Sequence, residues 1–271
     1  MNPQSQDVSQ SILQTQGLAK SFLGLQALQN FSITVNANEI LGLIGPNGAG
    51  KTTCFNVLTG FLIPTAGRIH FQGKDITGRR PAQIARLGLA RTFQNIRVFN
   101  SLSVRDNIMA AAQLRTHFSV GELFLSAPSF SRKEAEVRER AYELLHLLSL
   151  SDYADRLAAS LSYAHQRRLE IARALATEPQ LLLLDEPAAG MNPAESDNLH
   201  QLILDLRNRF QLTILLVEHD MRLVMNLCER IIVLNYGKII AAGKPETVRV
   251  DPQVIAAYLG EDRSQIGATR A

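Results

Sequence analysis

The sequence predicts an α/β fold with an antiparallel strand layer at its front and a helical segment inserted near its middle. Three observations carry this. Short apolar runs that read as strands buried on both faces stand early and late in the chain: "ILGLIG" (40–45), "LLLLDEP" (181–187) and "TILLVE" (213–218). Ahead of the first, "SILQTQGLAKSF" and "LQNFSITVNANEI" alternate apolar and polar residues, as half-buried antiparallel strands do. From about residue 95 to 178 the pattern becomes helical, with "RKEAEVRERAYELLHLLSL" and "SYAHQRRLEIARALAT" as amphipathic helices.

Taken in order, polar residues 1–10 predict a disordered tail. The strand at 40–45 runs into "GKTTCFNVLTG" (50–60), which has helical spacing and stops at Gly60. "GRIHFQGKDI" reads as an edge strand, "PAQIARLG" as a helix opened by proline, and "LARTFQN" as a strand ending at Gln94. "SVRDNIMAAAQLR" predicts a helix and residues 114–131 a flexible connection. After the helical insert come a strand at 181–184, a helix at 193–209, a strand, a helix at 221–228, and the strands "RIIVLN" and "KIIAAG" around the turn "YG". The organisation predicted is one domain over 11–261, with its core and strand layer at about 11–94 and 179–261, the insert at 95–178, and flexible tails at 1–10 and 262–271.

Composition removes several classes. The 271 residues carry 28 basic and 25 acidic side chains, a net charge of +3, with no Trp and no basic run interleaved with aromatics. That argues against a nucleic-acid partner. Cys54 and Cys228 lie far apart and suggest a reducing compartment rather than a disulfide framework. The polar start is unlike a secretion signal, and no apolar stretch approaches the ~20 residues a spanning helix needs. A soluble protein is expected, able to dock on something in a membrane.

The chemistry starts from "LLLLDEP". Asp185 and Glu186 are costly to bury unless a metal, an activated water or a neighbouring cation answers them. "GPNGAGKT", Gly45 to Thr52, points to the first two. It fits G-x-x-x-x-G-K-[ST] between a strand and a helix, a phosphate-binding loop. Average composition would produce that pattern in a chain this long about once in a hundred. Its glycines let backbone N–H groups close on phosphate oxygens at a helix N-terminus. Lys51 reaches the terminal phosphates and Thr52 ligates Mg²⁺. In such proteins a second apolar strand ends in an acid that holds the metal, usually through water; Asp185 is that acid. Glu186 then polarises the attacking water, against the alternative of a structural carboxylate. Gln94 is placed to touch Mg²⁺, and His219, after "LLVE", to bond the γ-phosphate or to serve structure alone. Phe22 is either a base-stacking aromatic or an ordinary strand residue. Ser162 is either a helix N-cap or, with the N–H groups behind it, an anion site for a second copy of the protein. His70, His117, His146, His165 and His200 lack ligand spacing, so no metal site beyond Mg²⁺ is expected.

Together these residues resemble an ATP-binding cassette (ABC) ATPase, in the family's order and over nearly the whole chain. The resemblance implies ATP and Mg²⁺ as cofactors. It implies Phe22 as the adenine-stacking aromatic, and Gly45, Pro46, Asn47, Gly48, Ala49, Gly50, Lys51, Thr52 and Thr53 as Walker A. Gln94 is the Q-loop and "LSYAHQ" the signature, whose Ser162, Tyr163 and Ala164 contact ATP held by the other subunit. "LLLLDE" is Walker B, "GMNP" the D-loop and His219 the switch histidine. The implied metal set is Thr52, Gln94 and Asp185; the implied catalytic set is Glu186, His219, Gln94 and Lys51. "RTFQNIRVF", "RRLEIARAL", "DEPAAGMNPAE", "VEHDMRLVM", "VIAAYLGE" and the insert around "APSFSRKEAE" resemble the LivG-type subunit of branched-chain amino acid importers. The implied partners are a second ATPase subunit, paralogue or self, two transmembrane permease subunits facing Asn95 to Arg105, and indirectly a periplasmic binding protein. The implied location is the cytoplasmic face of the inner membrane.

Two departures stand out. Ala164 replaces a glycine of the usual signature, and His165 replaces Gln or Glu. If the backbone at 164 needs φ > 0 or very close phosphate approach, alanine costs of order 1 kcal/mol, and Ala164→Gly would raise turnover or dimerisation. Asn192 stands where many cassettes have Asp, which suits the subfamily. Competing readings are a lipopolysaccharide-export or urea transporter ATPase, a soluble ABC protein acting on nucleic acid or ribosomes, and a P-loop kinase.

Overall fold

The computed structural model describes residues 11–115 and 128–267. Residues 1–10, and the greater part of the connection expected at 114–131, lie outside the described residues. The described parts of Met1–Arg80 and Leu206–Ala271 form one compact unit, and those of Pro81–Asp205 form another.

The first unit holds two sheets. In one, β1 (Ser11–Phe22) pairs antiparallel with β2 (Leu25–Phe31), β3 (Thr34–Asn36) and β5 (Ala66–Phe71), and β6 (Lys74–Asp75) pairs with β5. Ile12, Leu13, Thr15 and Leu18 of β1 are buried and Gln16 is exposed; the predicted alternation is broken, because the pairing with β5 shifts register between Gln16 and Ala19. Buried Thr15 is satisfied on both sides: its hydroxyl donates to the Phe31 carbonyl and accepts from the Ile33 N–H.

The second sheet of this unit is mainly parallel. β4 (Ile40–Ile44) runs between β10 (Arg230–Asn235) and β9 (Thr213–Val217), and β11 (Lys238–Gly243) returns antiparallel to β10. Every residue of β4 and β9 is buried, so these strands read as continuous apolar runs. The predicted "YG" turn joins β10 to β11 with Tyr236 and Gly237 both at positive φ, the geometry of a tight hairpin. Helix α1 (Lys51–Leu58) follows β4.

In the second unit, α2 (Pro81–Leu87) leads to β7 (Leu89–Arg91), which pairs in parallel with β8 (Leu181–Asp185). β7 is shorter than the sequence suggests: it ends at Arg91, not at Gln94. Thr92 still donates to the Leu183 carbonyl, but the Phe93 N–H and carbonyl turn to Glu170 and Arg167 instead of a strand. Helix α3 (Val104–Ala112) starts where the Ser103 hydroxyl accepts from the Asp106 N–H. It packs on α4 (Pro128–Leu147) and α5 (Tyr163–Ala176), and Val104, Ile108, Leu144, Leu145 and Leu169 of these helices are buried. Helix α6 (Pro193–Phe210) follows β8.

Back in the first unit, α7 (Met221–Leu227) follows β9, capped by the Asp220 carboxylate, which accepts from the Arg222 and Leu223 N–H groups. The chain closes with α8 (Pro245–Arg249) and α9 (Pro252–Gly267). The backbone of α9 stays helical through residues 262–267, where the sequence suggests the start of a tail.

Candidate active site

The phosphate-loop residues emerge from the carboxyl end of β4. Gly45 and Gly50 both have positive φ, and a β-carbon on either would overlap a backbone carbonyl oxygen, of Leu234 and Ala27 respectively. Only glycine lets the loop lie this close to its neighbours. Gly50 stands at the N-cap of α1, and the N–H groups of a first helical turn, which lack acceptors within the helix, suit an anion. Lys51 is buried and folds back over the loop; its Nζ donates to the Gly45 and Pro46 carbonyls at 2.5 and 3.0 Å. Thr52 is exposed and Thr53 half-buried on the same turn.

β9 is parallel to β4, with Ile40 opposite Ile214 and Gly42 opposite Leu216. Its carboxyl end, Glu218 and His219, therefore emerges on the same sheet edge as the loop, the usual ligand edge of such sheets. His219 is exposed there, its N–H donating to the Glu218 carboxylate. Phe22 ends β1 and is partly exposed, with Lys20 Nζ 5.1 Å from its ring centre.

The second unit gathers the acids. Asp185 and Glu186 leave the end of β8, both buried. Asp185 Oδ2 accepts from Arg91 Nη2 at 2.6 Å, an ion pair with both side chains almost wholly enclosed. A cation thus answers the charge that the sequence left unassigned to a protein partner. Glu186 sits at φ 48°, a region few non-glycine residues occupy, and its Oε2 accepts from Gln94 Nε2 at 2.8 Å. Gln94 and Glu186 are thereby brought together.

The start of α5 carries the signature residues. The Ser162 hydroxyl accepts from the His165 N–H and lies 2.9 Å from His165 Nδ1, so the N-cap reading holds in this structure. Tyr163 is exposed and Ala164 half-buried. Ala164 belongs to the first turn of a right-handed helix and is not among the positive-φ residues. Backbone strain is therefore no penalty of this alanine; only close approach of a ligand would be. Burial, then the Arg168 charge, holds the His165 imidazole below its ordinary pKa.

Sequence reasoning missed three residues of this cluster: Arg91, Arg167 and Glu170. Arg167 and Glu170 are buried and bonded at 2.8 Å. Glu170 also accepts from the Phe93 and Arg97 N–H groups. Burial, the largest influence, raises the Glu170 pKa, and these donors oppose it. A signal existed: positions 167 and 170 fall in phase with apolar Ile171 and Ala174 on α5, so two charges occupy its inward face. Nothing local marked Arg91.

The ABC transporter family profile matches residues 28–189. The chain belongs to the ABC transporter ATP-binding family. A second profile, described as branched-chain amino acid ATP-binding cassette transporter, matches residues 238–264. The chain is 48% identical to the Escherichia coli K12 high-affinity branched-chain amino acid transport ATP-binding protein LivG, over 94% of this chain and 100% of that one. It is 46% identical to the corresponding Pseudomonas aeruginosa protein BraF over the same shares. Among solved structures, a nucleotide-free ATP-binding cassette from an ABC transporter matches with a TM-score of 0.79 and 35% identity, over 92% of this chain and 98% of that one. This ABC ATPase therefore has the predicted fold: a P-loop α/β core with an antiparallel strand layer and an inserted helical segment. It binds nucleotide and hydrolyses ATP. Among the described residues, no helix is long and apolar enough to cross a membrane.

Proposed function

We propose that this ABC ATPase powers an importer for branched-chain or other hydrophobic amino acids. The single observation that supports this most is 48% identity over the full length of the Escherichia coli K12 LivG protein, against 39% to the lipopolysaccharide export protein LptB of Haemophilus influenzae. The match at 238–264 to the branched-chain amino acid family favours the same reading.

In this reading the N–H groups of Gly45 to Thr53, with Pro46, Asn47, Gly48 and Ala49 shaping the loop, cradle the phosphates. The Lys51 ammonium exchanges its two carbonyl acceptors for phosphate oxygens. Phe22 stacks on the adenine. Thr52, Asp185 and Gln94 would hold Mg²⁺, and the donor set fits a hard cation: a hydroxyl, a carboxylate and an amide oxygen. Gln94 gives its amide nitrogen to Glu186, which leaves its oxygen for the metal. Bound Mg²⁺ would neutralise charge developing on the terminal phosphates. Glu186 accepts the proton of the attacking water once Gln94 releases its carboxylate. His219 bonds the γ-phosphate. Ser162, Tyr163 and Ala164 meet the ATP of a partner cassette.

The partners are a second cassette subunit and two permease subunits, with a periplasmic binding protein delivering the solute, and the chain sits peripherally on the cytoplasmic face of the inner membrane. The one-domain organisation over 11–261 and the insert at 95–178 belong to the same reading.

The test is purification of the tagged chain from detergent-solubilised native membranes, followed by uptake assays with labelled leucine, isoleucine and valine in vesicles holding the purified complex. Two permease subunits, a second cassette and ATP-dependent uptake are expected. Co-purification with lipopolysaccharide-export components, or with ribosomes alone, would overturn the importer reading.

A further inference from the structure

Arg167 is among the most heavily shared side chains described in the second unit. It is wholly buried, and its guanidinium fork ties its own helix to the segment at Phe93 and Gln94. Nη1 donates to the Phe93 carbonyl at 2.6 Å and to Glu170 at 2.8 Å. Nη2 donates to the Gln94 carbonyl at 2.9 Å and to the Tyr163 hydroxyl at 3.0 Å. Glu170 clamps the same loop from its other side, accepting from the Phe93 and Arg97 N–H groups at 3.0 and 3.3 Å. A buried guanidinium is costly, and an apolar side chain would serve packing alone as well or better. What Arg167 adds is its planar fork, which fixes several acceptors relative to one another.

Two of those acceptors lead to functional groups. Tyr163 stands at the exposed start of α5, 45% accessible, and a methyl placed on Gly190 of the "GMNP" bend would lie 3.5 Å from its ring. Gln94, at the other end, donates through Nε2 to Glu186 at 2.8 Å. A path thus runs by hydrogen bonds from the Tyr163 hydroxyl to Arg167 and on to the Gln94 carbonyl, through the covalent frame of Gln94 to its amide nitrogen, and from there by a hydrogen bond to the Glu186 carboxylate. We propose that Arg167 is a positioning residue that reports the state of the exposed end of α5 to Gln94 and Glu186, so that ATP bound by a partner cassette against Tyr163 sets the activity of this chain's own Glu186. This rests on the proposed reading that Ser162 and Tyr163 meet the partner's nucleotide. Its consequence is a coupling between the two ATP sites of the cassette pair, carried by contiguous contacts.

The experiment uses the purified transporter complex. Turnover is measured against ATP concentration for wild type, Tyr163→Phe, Arg167→Lys and the double variant. Tyr163→Phe keeps the ring and removes only the hydroxyl that accepts from Arg167, so the variant is expected to stay folded, checked by a single cooperative melting transition. Wild type is expected to respond cooperatively to ATP. Tyr163→Phe is expected to bring the Hill coefficient toward one and to lower maximal turnover about fivefold. The double variant should be no worse than Arg167→Lys alone, because both break one path. Hydrogen exchange at the Phe93 and Arg97 amides should quicken in Tyr163→Phe, a readout that stands even if Arg167→Lys does not fold. Unchanged cooperativity and unchanged exchange in Tyr163→Phe, or additive losses in the double variant, would overturn the proposal. Ser162→Ala separates the two levels. If it slows turnover while Tyr163→Phe stays cooperative, the relay fails and the reading of the signature stands; if it changes nothing, both fail.

Discussion

The phosphate loop and the acid cluster are built in opposite ways. The loop is made of backbone: Gly45 and Gly50 bring the chain where no β-carbon fits, and in the proposed function the N–H groups of one helix turn hold the phosphates. The acid cluster is made of side chains contributed by distant segments. Arg91 and Asp185 are 94 residues apart, Gln94 and Glu186 92 apart, and Phe93 and Glu170 77 apart. A backbone site has to be written contiguously, because adjacent residues supply its geometry. A side-chain site needs only the fold to bring its members together, so its members can be scattered. The first kind tolerates almost no change at its glycines; the second tolerates change only where charge and hydrogen bonds are replaced together.

That contrast is open to attack by mutation. The largest expected effect is at Gly45, where alanine adds both strain at positive φ and overlap with the Leu234 carbonyl oxygen. Gly45→Ala is expected to abolish measurable ATP binding, checked by titration of a fluorescent ATP analogue; retained affinity would show the loop less constrained than its backbone implies. Next comes Arg91→Gln, which leaves Asp185 buried without its cation. A loss of about 3–5 kcal/mol is expected in denaturant unfolding, with Asp185→Asn in the same chain recovering part of it. Should the single variant unfold at the wild-type midpoint, the pair would be incidental.

Smaller is Ala164→Gly. Because Ala164 lies in a right-handed helix, glycine there should cost about 1 kcal/mol or less of helix stability rather than relieve strain. A rise in turnover for this variant would mean that a ligand approaches the backbone at 164 closely. The smallest concerns pH. Burial holds His165 below its ordinary value of 6.5, so the neutral ring is the one the fold favours. Its contribution to stability is present above that value and is lost as pH falls through the lower folded one. His165→Gln is expected to flatten the acid side of the melting-temperature profile slightly, and an identical profile would remove His165 as a source of that slope.

The sequence made the backbone-built half of the site legible and the side-chain-built half only in part. "GPNGAGKT" between a buried strand and a helix named its own residues, and Asp185 and Glu186 stood out as acids at the end of a buried run. Arg91 could not be found this way, since an arginine ending a short strand looks like any other until β7 is laid beside β8. The strand before Gln94 is shorter than its side chains suggest for a related reason. Its last residues have strand-like side chains, but buried Glu170 and Arg167 claim the backbone groups of Phe93. Of the two costs the motif suggests for Ala164, the helical backbone removes the strain, and close approach of a ligand is left to the Ala164→Gly variant.

The measurement that bears most directly on the account is a comparison of Glu186→Gln with Lys51→Ala in one assay of ATP binding, dimerisation and turnover. If the phosphate loop binds and the acid cluster hydrolyses, Glu186→Gln binds ATP, accumulates an ATP-bound dimer and loses turnover by about 100-fold or more, while Lys51→Ala fails already at binding. A Glu186→Gln protein that turns over ATP at near the wild-type rate would contradict the assignment of the chemistry to this carboxylate.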